Sequence, residues 1–433
     1  MTVSTGVAPG KAEPVPVKSI AESIVETPRN PDRSHRSRLR RASRLAVFGM
    51  ALALVTACSA SPGGVGGSAS ARDAASGATS PSVSAASGAS GLPPRACLDA
   101  ARAMDPQARV ELLYMGSVTA TTPAAGAGQL AKQPVGSVIL MSDPGSLQAT
   151  SQLTDALGAA RPGLLVATDQ EGGQVQRLTG PGLDQMPSAR QQSALDTDAL
   201  TQRWTGWSAQ LRRGGVHYNL APSADLVPKA NRGANAPIGQ LDRGYGATRA
   251  DVATNVAAVL AGMHAGGVVG AVKHFPGLGN VNVNTDFGAA HDAVTTPDSD
   301  ELGTFADVLA GSDSVMVSSV VYDRIDPAGP AAFSSRVVSG LLREQLGYSR
   351  VIISDDLGAA AALADYPVAQ RGTLFLRAGG DLALDVDPAS VPAMVADTRA
   401  AVAADPDFAE QTVAKAARVL QLRADAGLGQ CGA

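Results

Sequence analysis

The chain has 433 residues, is 45% hydrophobic and 17% charged, and carries 47 glycines but only 3% aromatic residues. This is a globular composition with surplus flexible sequence, long enough for one large domain or two smaller ones, and its core must be built mostly from Ala, Val, Leu and Ile. A formal net charge of −4 argues against a nucleic-acid-binding surface. Residues 1–57 hold nine Lys/Arg against four Asp/Glu, so the remainder of the chain is more acidic than the total suggests.

The basic cluster RSHRSRLRRASR (33–44) runs into the apolar stretch LAVFGMALALVTAC, which stops at Cys58. A positive flank, a short apolar segment and small residues before a junction form an export-signal pattern. The run is too short to span a bilayer comfortably as a helix. Val55-Thr56-Ala57-Cys58 resembles a bacterial lipobox. The expectation is a lipoprotein lipidated at Cys58 and anchored to the outer face of the cytoplasmic membrane. An ordinary signal peptide with an incidental cysteine is the alternative. The long stretch 1–32 reads as an extension or as a mis-assigned start. Residues 59–94 are Ser/Ala/Gly/Pro-rich and nearly free of large apolar side chains; such a segment buries too little surface to fold and reads as a tether. The expected organisation is 1–57 extension and signal, 58–94 anchor and tether, 95–433 folded domain.

From residue 95 onward, short apolar runs alternate with longer Ala/Leu-rich segments of helical character. Strands are expected near 110–118, 136–141, 163–169, 216–222, 268–275, 313–320, 350–356 and 381–386. Helices are expected between them, for example over TNVAAVLAGMHAGG (254–267) and SSRVVSGLLREQLG (334–347). Eight β/α alternations suggest an α/β fold of the single (β/α)8 TIM-type barrel kind. A doubly wound open sheet is the competitor, weakened by the lack of a glycine-rich dinucleotide fingerprint after the early strands. Cys97 and Cys431 lie near the two ends of this domain. An exported protein can keep a disulfide, and a closed barrel would bring these two cysteines together.

Charged residues fall at strand ends. Asp169 closes LLVATD, Lys273 and His274 end VVGAVKHF, and Asp355 and Asp356 close VIISDD. In a barrel these ends open on one face, where active sites are built. The mixture lacks the His/Cys spacing of a zinc site, so no metal or cofactor is expected, and there is no G-x-S-x-G elbow for a serine nucleophile. Carboxylates at a barrel mouth beside basic groups suit glycoside hydrolysis, in which one carboxylate attacks or stabilises the sugar centre and an acid protonates the leaving oxygen.

The segments ATDQEGGQVQRL (167–178), NLAPSADL (219–226), KHFPGLG (273–279), VIISDDLGAA (351–360) and RAGGDLALD (377–385) resemble, in order and spacing, the signatures of glycoside hydrolase family 3. The likeness is greatest to its compact β-N-acetylglucosaminidases, which act on peptidoglycan fragments, and it covers about residues 100–425. The resemblance implies a TIM-type barrel, a retaining mechanism through a covalent glycosyl-enzyme, and Asp355 as nucleophile with Asp356 in support. It also implies sugar-binding roles for Asp169, Arg177, Lys273 and His274, and for Arg243 within a longer local spacing than usual. The expected substrate is a carbohydrate with terminal β-linked N-acetylglucosamine, and the expected state is a monomer. A β-glucosidase, β-xylosidase or phosphorylase of the same family, or a weakly active sugar-binding lipoprotein, remain alternatives.

One departure matters. Family members commonly carry a histidine acid/base, paired with an aspartate two residues earlier, in the loop after KHFPG. Here that loop reads VNVNTDFG, with Asn284 and Asp286 in place of the Asp-His dyad. Asp286 is therefore the expected acid/base, provided that burial or a nearby negative charge raises its proton affinity. His291 or Asp292, slightly later on the loop, is a second reading, and absence of a proton donor is a third.

Overall fold

The computed structural model describes residues 92–431. The signal, Cys58 and nearly all of the tether lie outside the described residues.

Eight parallel strands form the barrel: β1 (Tyr114–Val118), β2 (Ser137–Leu140), β3 (Leu165–Thr168), β4 (Tyr218–Asn219), β5 (Val269–Phe275), β6 (Ser314–Val317), β7 (Val351–Ser354) and β8 (Ala383–Leu384). Each pairs with its neighbour in chain order from β1 to β7, and β1 pairs with β8. A parallel bridge between Ile353 and Leu382 joins β7 to β8 and nearly closes the ring. This closure removes the open-sheet alternative. The strands are shorter than the apolar runs that announced them. The segment beginning at Val110 does not start as a strand: Pro106–Leu112 is a helix, capped by the Asp105 carboxylate on the amides of Gln107 and Ala108.

The helix Arg249–Ala265 shows how the outer layer is specified. Thr248 caps its first turn by accepting from the Asp251 amide at 3.2 Å. Val252, Val256, Val259, Leu260 and Met263 recur at helical spacing and are buried. Gly266 ends the helix, and Gly267, at φ +81°, makes the left-handed turn into β5 that a residue with a Cβ would resist. The second expected helix, Arg336–Gln345, forms with wide π-type turns and buries Val337, Val338, Leu341 and Leu342.

The domain's ends meet. Helix Arg95–Ala103 packs on the last helix, Pro406–Asp425, and Cys97 is bonded to Cys431 with their Cα atoms 4.7 Å apart.

Candidate active site

β5 presents the first site residues. All seven residues of Val269–Phe275 are buried, and pairing with β6 shifts register between Val272 and Phe275. Irregularities of this kind re-aim side chains at barrel rims, and Lys273 and His274 occupy this one. The Lys273 ammonium lies 2.8 Å from Asp169 Oδ1 and 2.7 Å from Glu171 Oε1. Glu171 also accepts both arms of the Arg243 guanidinium, Nε at 2.9 Å and Nη2 at 2.7 Å. This bidentate geometry adds orientation to charge pairing.

Electrostatics favour full ionisation of this cluster. Burial opposes the charge on Glu171, but the Arg243 and Lys273 cations outweigh it and hold the carboxyl well below the usual carboxylate range. Burial likewise works against the Lys273 ammonium, and Asp169 and Glu171 overcome it, so its proton is held more tightly than in water. Lys273 is thus fixed between two carboxylates.

His274 is set from the other side. Its Nδ1 lies 2.8 Å from Asp225 Oδ2, and Arg243 Nη2 lies 3.4 Å from its Nε2. Asp225 is fully buried and also accepts the amides of His274 and Leu278 through Oδ1. It therefore fixes both the ring and the turn after β5. Arg177 sits beside Asp169 in the chain fold, its amide donating to the Asp169 carbonyl at 3.2 Å, and its Nε is buried without a protein partner.

Asp355 follows β7 and is half-buried; its amide donates to the Val317 carbonyl and its Oδ1 accepts the Asp356 amide at 2.9 Å. Asp356 accepts the amides of Gly358, Ala359 and Val386, so it organises the loops after β7 and β8. Burial raises its proton affinity to about pH 6 against those three donors, with the Asp355 charge adding to the rise.

Asp286 lies on the loop after β5, its amide donating to Asn284 Oδ1 at 3.0 Å. Loss of solvent around its carboxyl, and next the negative charge of Asp355, raise its proton affinity above that of an ordinary aspartate; Arg243 and His274 pull the other way. The residue as a whole stays exposed, so this raised affinity coexists with access for a ligand. The later candidates are engaged elsewhere. His291 is exposed and its Nδ1 lies 3.0 Å from Asp323 Oδ1. Asp292 is fully buried and accepts from the amides of Val294 and Thr295 and from the Thr295 hydroxyl, which makes it a turn residue.

The structure thus brings Asp169, Lys273, His274, Arg243, Asp286 and Asp355 into one electrostatic environment. Sequence reasoning missed Glu171 and Asp225, although both lie inside the motifs ATDQEGG and NLAPSADL. Their signal was a carboxylate in the loop shortly after a strand, after Thr168 for Glu171 and after Asn219 for Asp225, a place where a turn former is equally ordinary. Among the described residues, no cluster of three or more His, Cys, Asp or Glu is placed to hold a metal ion.

Comparison with known proteins places the barrel in a family. The family described as "Glycosyl hydrolase family 3 N terminal domain" matches residues 108–422. A curated beta-hexosaminidase of Alkalilimnicola ehrlichii is 36% identical over 278 residues, covering 60% of this chain and 76% of the relative. One from Xanthomonas oryzae is 34% identical over 269 residues, covering 58% and 76%. The crystal structure of a beta-N-acetylhexosaminidase from Beutenbergia cavernae superposes with TM-score 0.72 at 40% identity, covering 74% of this chain and 99% of that one. A family 3 beta-N-acetylglucosaminidase from a Paenibacillus species superposes with TM-score 0.67 at 28% identity, covering 75% and 63%. With the family's domain matched across the barrel and its motifs gathered at one mouth, the chain belongs to glycosyl hydrolase family 3.

Proposed function

We propose that the protein is an exo-acting β-N-acetylhexosaminidase that removes terminal β-linked N-acetylglucosamine with retention of configuration. The observation that carries this reading is the buried cluster of Lys273 with Asp169 and Glu171, and of Arg243 with Glu171 and His274, at the strand ends; the Asp355 charge also contributes to the raised proton affinity of Asp286. Similarity to beta-hexosaminidases over the barrel supports the sugar class.

In the first step the Asp355 carboxylate attacks the anomeric carbon while the bond to the leaving oxygen breaks and Asp286 gives that oxygen its proton. In the second, the Asp286 carboxylate takes a proton from water as the water oxygen bonds to the anomeric carbon, and the ester to Asp355 breaks. Arg177, Asp169 and His274 grip sugar hydroxyls. Export, anchoring through Cys58 and action on cell-wall fragments complete the proposal, supported by the basic flank, apolar run and Ala57-Cys58 junction.

The test is turnover of p-nitrophenyl β-N-acetylglucosaminide by the purified full chain, beside β-glucoside and β-xyloside analogues. Turnover of the aminosugar that falls on the order of 10⁴-fold or more in Asp355→Asn supports the proposal. Preference for another glycoside corrects the sugar class, and sugar binding without any turnover replaces the enzyme with a binding protein.

A further inference from the structure

Among the described residues, exposed large apolar side chains gather in the chain segment that carries the proposed proton donor. The exposed large hydrophobic residues among the described residues are Leu92, Leu195, Val283, Phe287 and Val294, and three of these lie in the loop after β5. Phe287 is 63% exposed. It is the only exposed aromatic residue among those described; the other Phe, Tyr and Trp side chains there are buried or half-buried.

Phe287 directly follows Asp286, and its position is held by the chain. The Asp286 amide donates to Asn284 Oδ1 at 3.0 Å, and the Phe287 amide donates to the Asn284 carbonyl at 3.0 Å. Thr285 is buried, and its carbonyl accepts the Ala362 amide at 3.1 Å from the loop after β7. An exposed phenyl ring on a pinned turn keeps its apolar surface in water in the free protein, which is unfavourable unless something covers it.

The chemistry of the site indicates what covers it. An acid that protonates the leaving oxygen must lie beside the group that leaves, so a neighbour of Asp286 on the same turn is closer to the leaving group than to the sugar gripped by Arg177, Asp169 and His274. A pyranose presents axial C–H bonds on its faces, and these are apolar surface suited to an aromatic ring. We infer that Phe287 is the platform for the leaving sugar, so that the protein selects glycosides whose aglycone is itself a pyranose. This rests on the hydrolase reading for its orientation, and it adds the substrate feature which that reading leaves open.

The experiment compares two N-acetylglucosaminides: the β-1,4-linked disaccharide, whose leaving group is a pyranose, and the methyl glycoside, whose leaving group is one carbon. Covering a sugar face of roughly 50 Å² is worth close to tenfold. In Phe287→Ala, kcat/KM for the disaccharide is expected to fall about tenfold further than that for the methyl glycoside, and Phe287→Tyr is expected to restore the ratio. A second arm measures binding calorimetrically in the Asp355→Asn background: Phe287→Ala is expected to weaken the disaccharide about tenfold more than free N-acetylglucosamine. Equal losses for the two ligands, or no loss, overturn the assignment. If wild type hydrolyses neither substrate while the binding arm stays selective for the disaccharide, the hydrolase reading fails and the platform stands.

Discussion

The amide of Ala362 donates to the carbonyl of Thr285 at 3.1 Å. This bond ties the loop that carries Asp286 to the short turn Ala361–Leu363, which follows the proposed nucleophile Asp355. The segments of the two proposed catalytic groups are thereby joined by a backbone link. Ala362→Pro removes the donor and biases Ala361 away from helical backbone. The expected result is a fall in kcat of roughly 10- to 100-fold with a small change in melting temperature, measured by initial rates and calorimetry.

Asp286→Asn tests the acid. A raised proton affinity keeps Asp286 protonated to a higher pH than an ordinary aspartate, and acid assistance is lost as pH rises through that value. Activity on the disaccharide is expected to fall about 10²- to 10⁴-fold in Asp286→Asn, with the alkaline limb of the pH–rate profile removed. Activated aryl glycosides are expected to lose much less, and added azide to restore part of their turnover.

Glu171→Ala leaves Lys273 and Arg243 short of a shared buried counter-charge, and removing one partner of a buried pair costs about 3–5 kcal/mol. Chemical denaturation at pH 7 is expected to show that loss, with a raised KM because both cations lose their orientation. Since the Glu171 carboxyl is held well below its ordinary value of 4.5, its stabilisation is present above that pH. It is lost as pH falls through the depressed folded value. The difference between wild type and variant therefore shrinks only in strong acid.

The Cys97–Cys431 bond closes a separation of 334 residues. In the chain-entropy account such a bridge contributes up to roughly 5 kcal/mol. Cys97→Ser or reduction is expected to lower the denaturation midpoint, with fraying first in the helices Arg95–Ala103 and Pro406–Asp425.

At the opposite end of the barrel from the mouth, His264 Nε2 lies 2.7 Å from Asp313 Oδ2, and Arg350 Nη1 lies 2.8 Å from Asp313 Oδ1. The hydrogen bond to Asp313 raises the His264 proton affinity above its ordinary 6.5, against partial burial and the Arg350 charge. Its stabilisation is therefore full below pH 6.5 and lost as pH rises through the higher folded value. Melting curves of His264→Gln are expected to depart from wild type at pH 5.5 and to approach it at pH 9.

The primary sequence determined the eightfold alternation, because apolar runs with period-breaking glycines announce each strand and helix locally. It also determined the strand-end charges and the missing dyad at Asn284 and Asp286. Strand limits were not legible: Pro106–Leu112 became a helix because Asp105 caps it, an event that outcompetes the apolar run starting at Val110. Spacing favoured Asp286 over His291 and Asp292 by its matched position, but the surroundings that set each group's partners were not legible in one dimension. Tertiary structure adds what spacing lacks: the Asp355 charge contributes to the raised proton affinity of Asp286, His291 pairs with Asp323, and Asp292 is buried in a turn. It likewise decided the roles of Glu171 and Asp225, since a carboxylate's proton affinity and partners depend on charges that the fold brings in from residues 72 and 49 positions away.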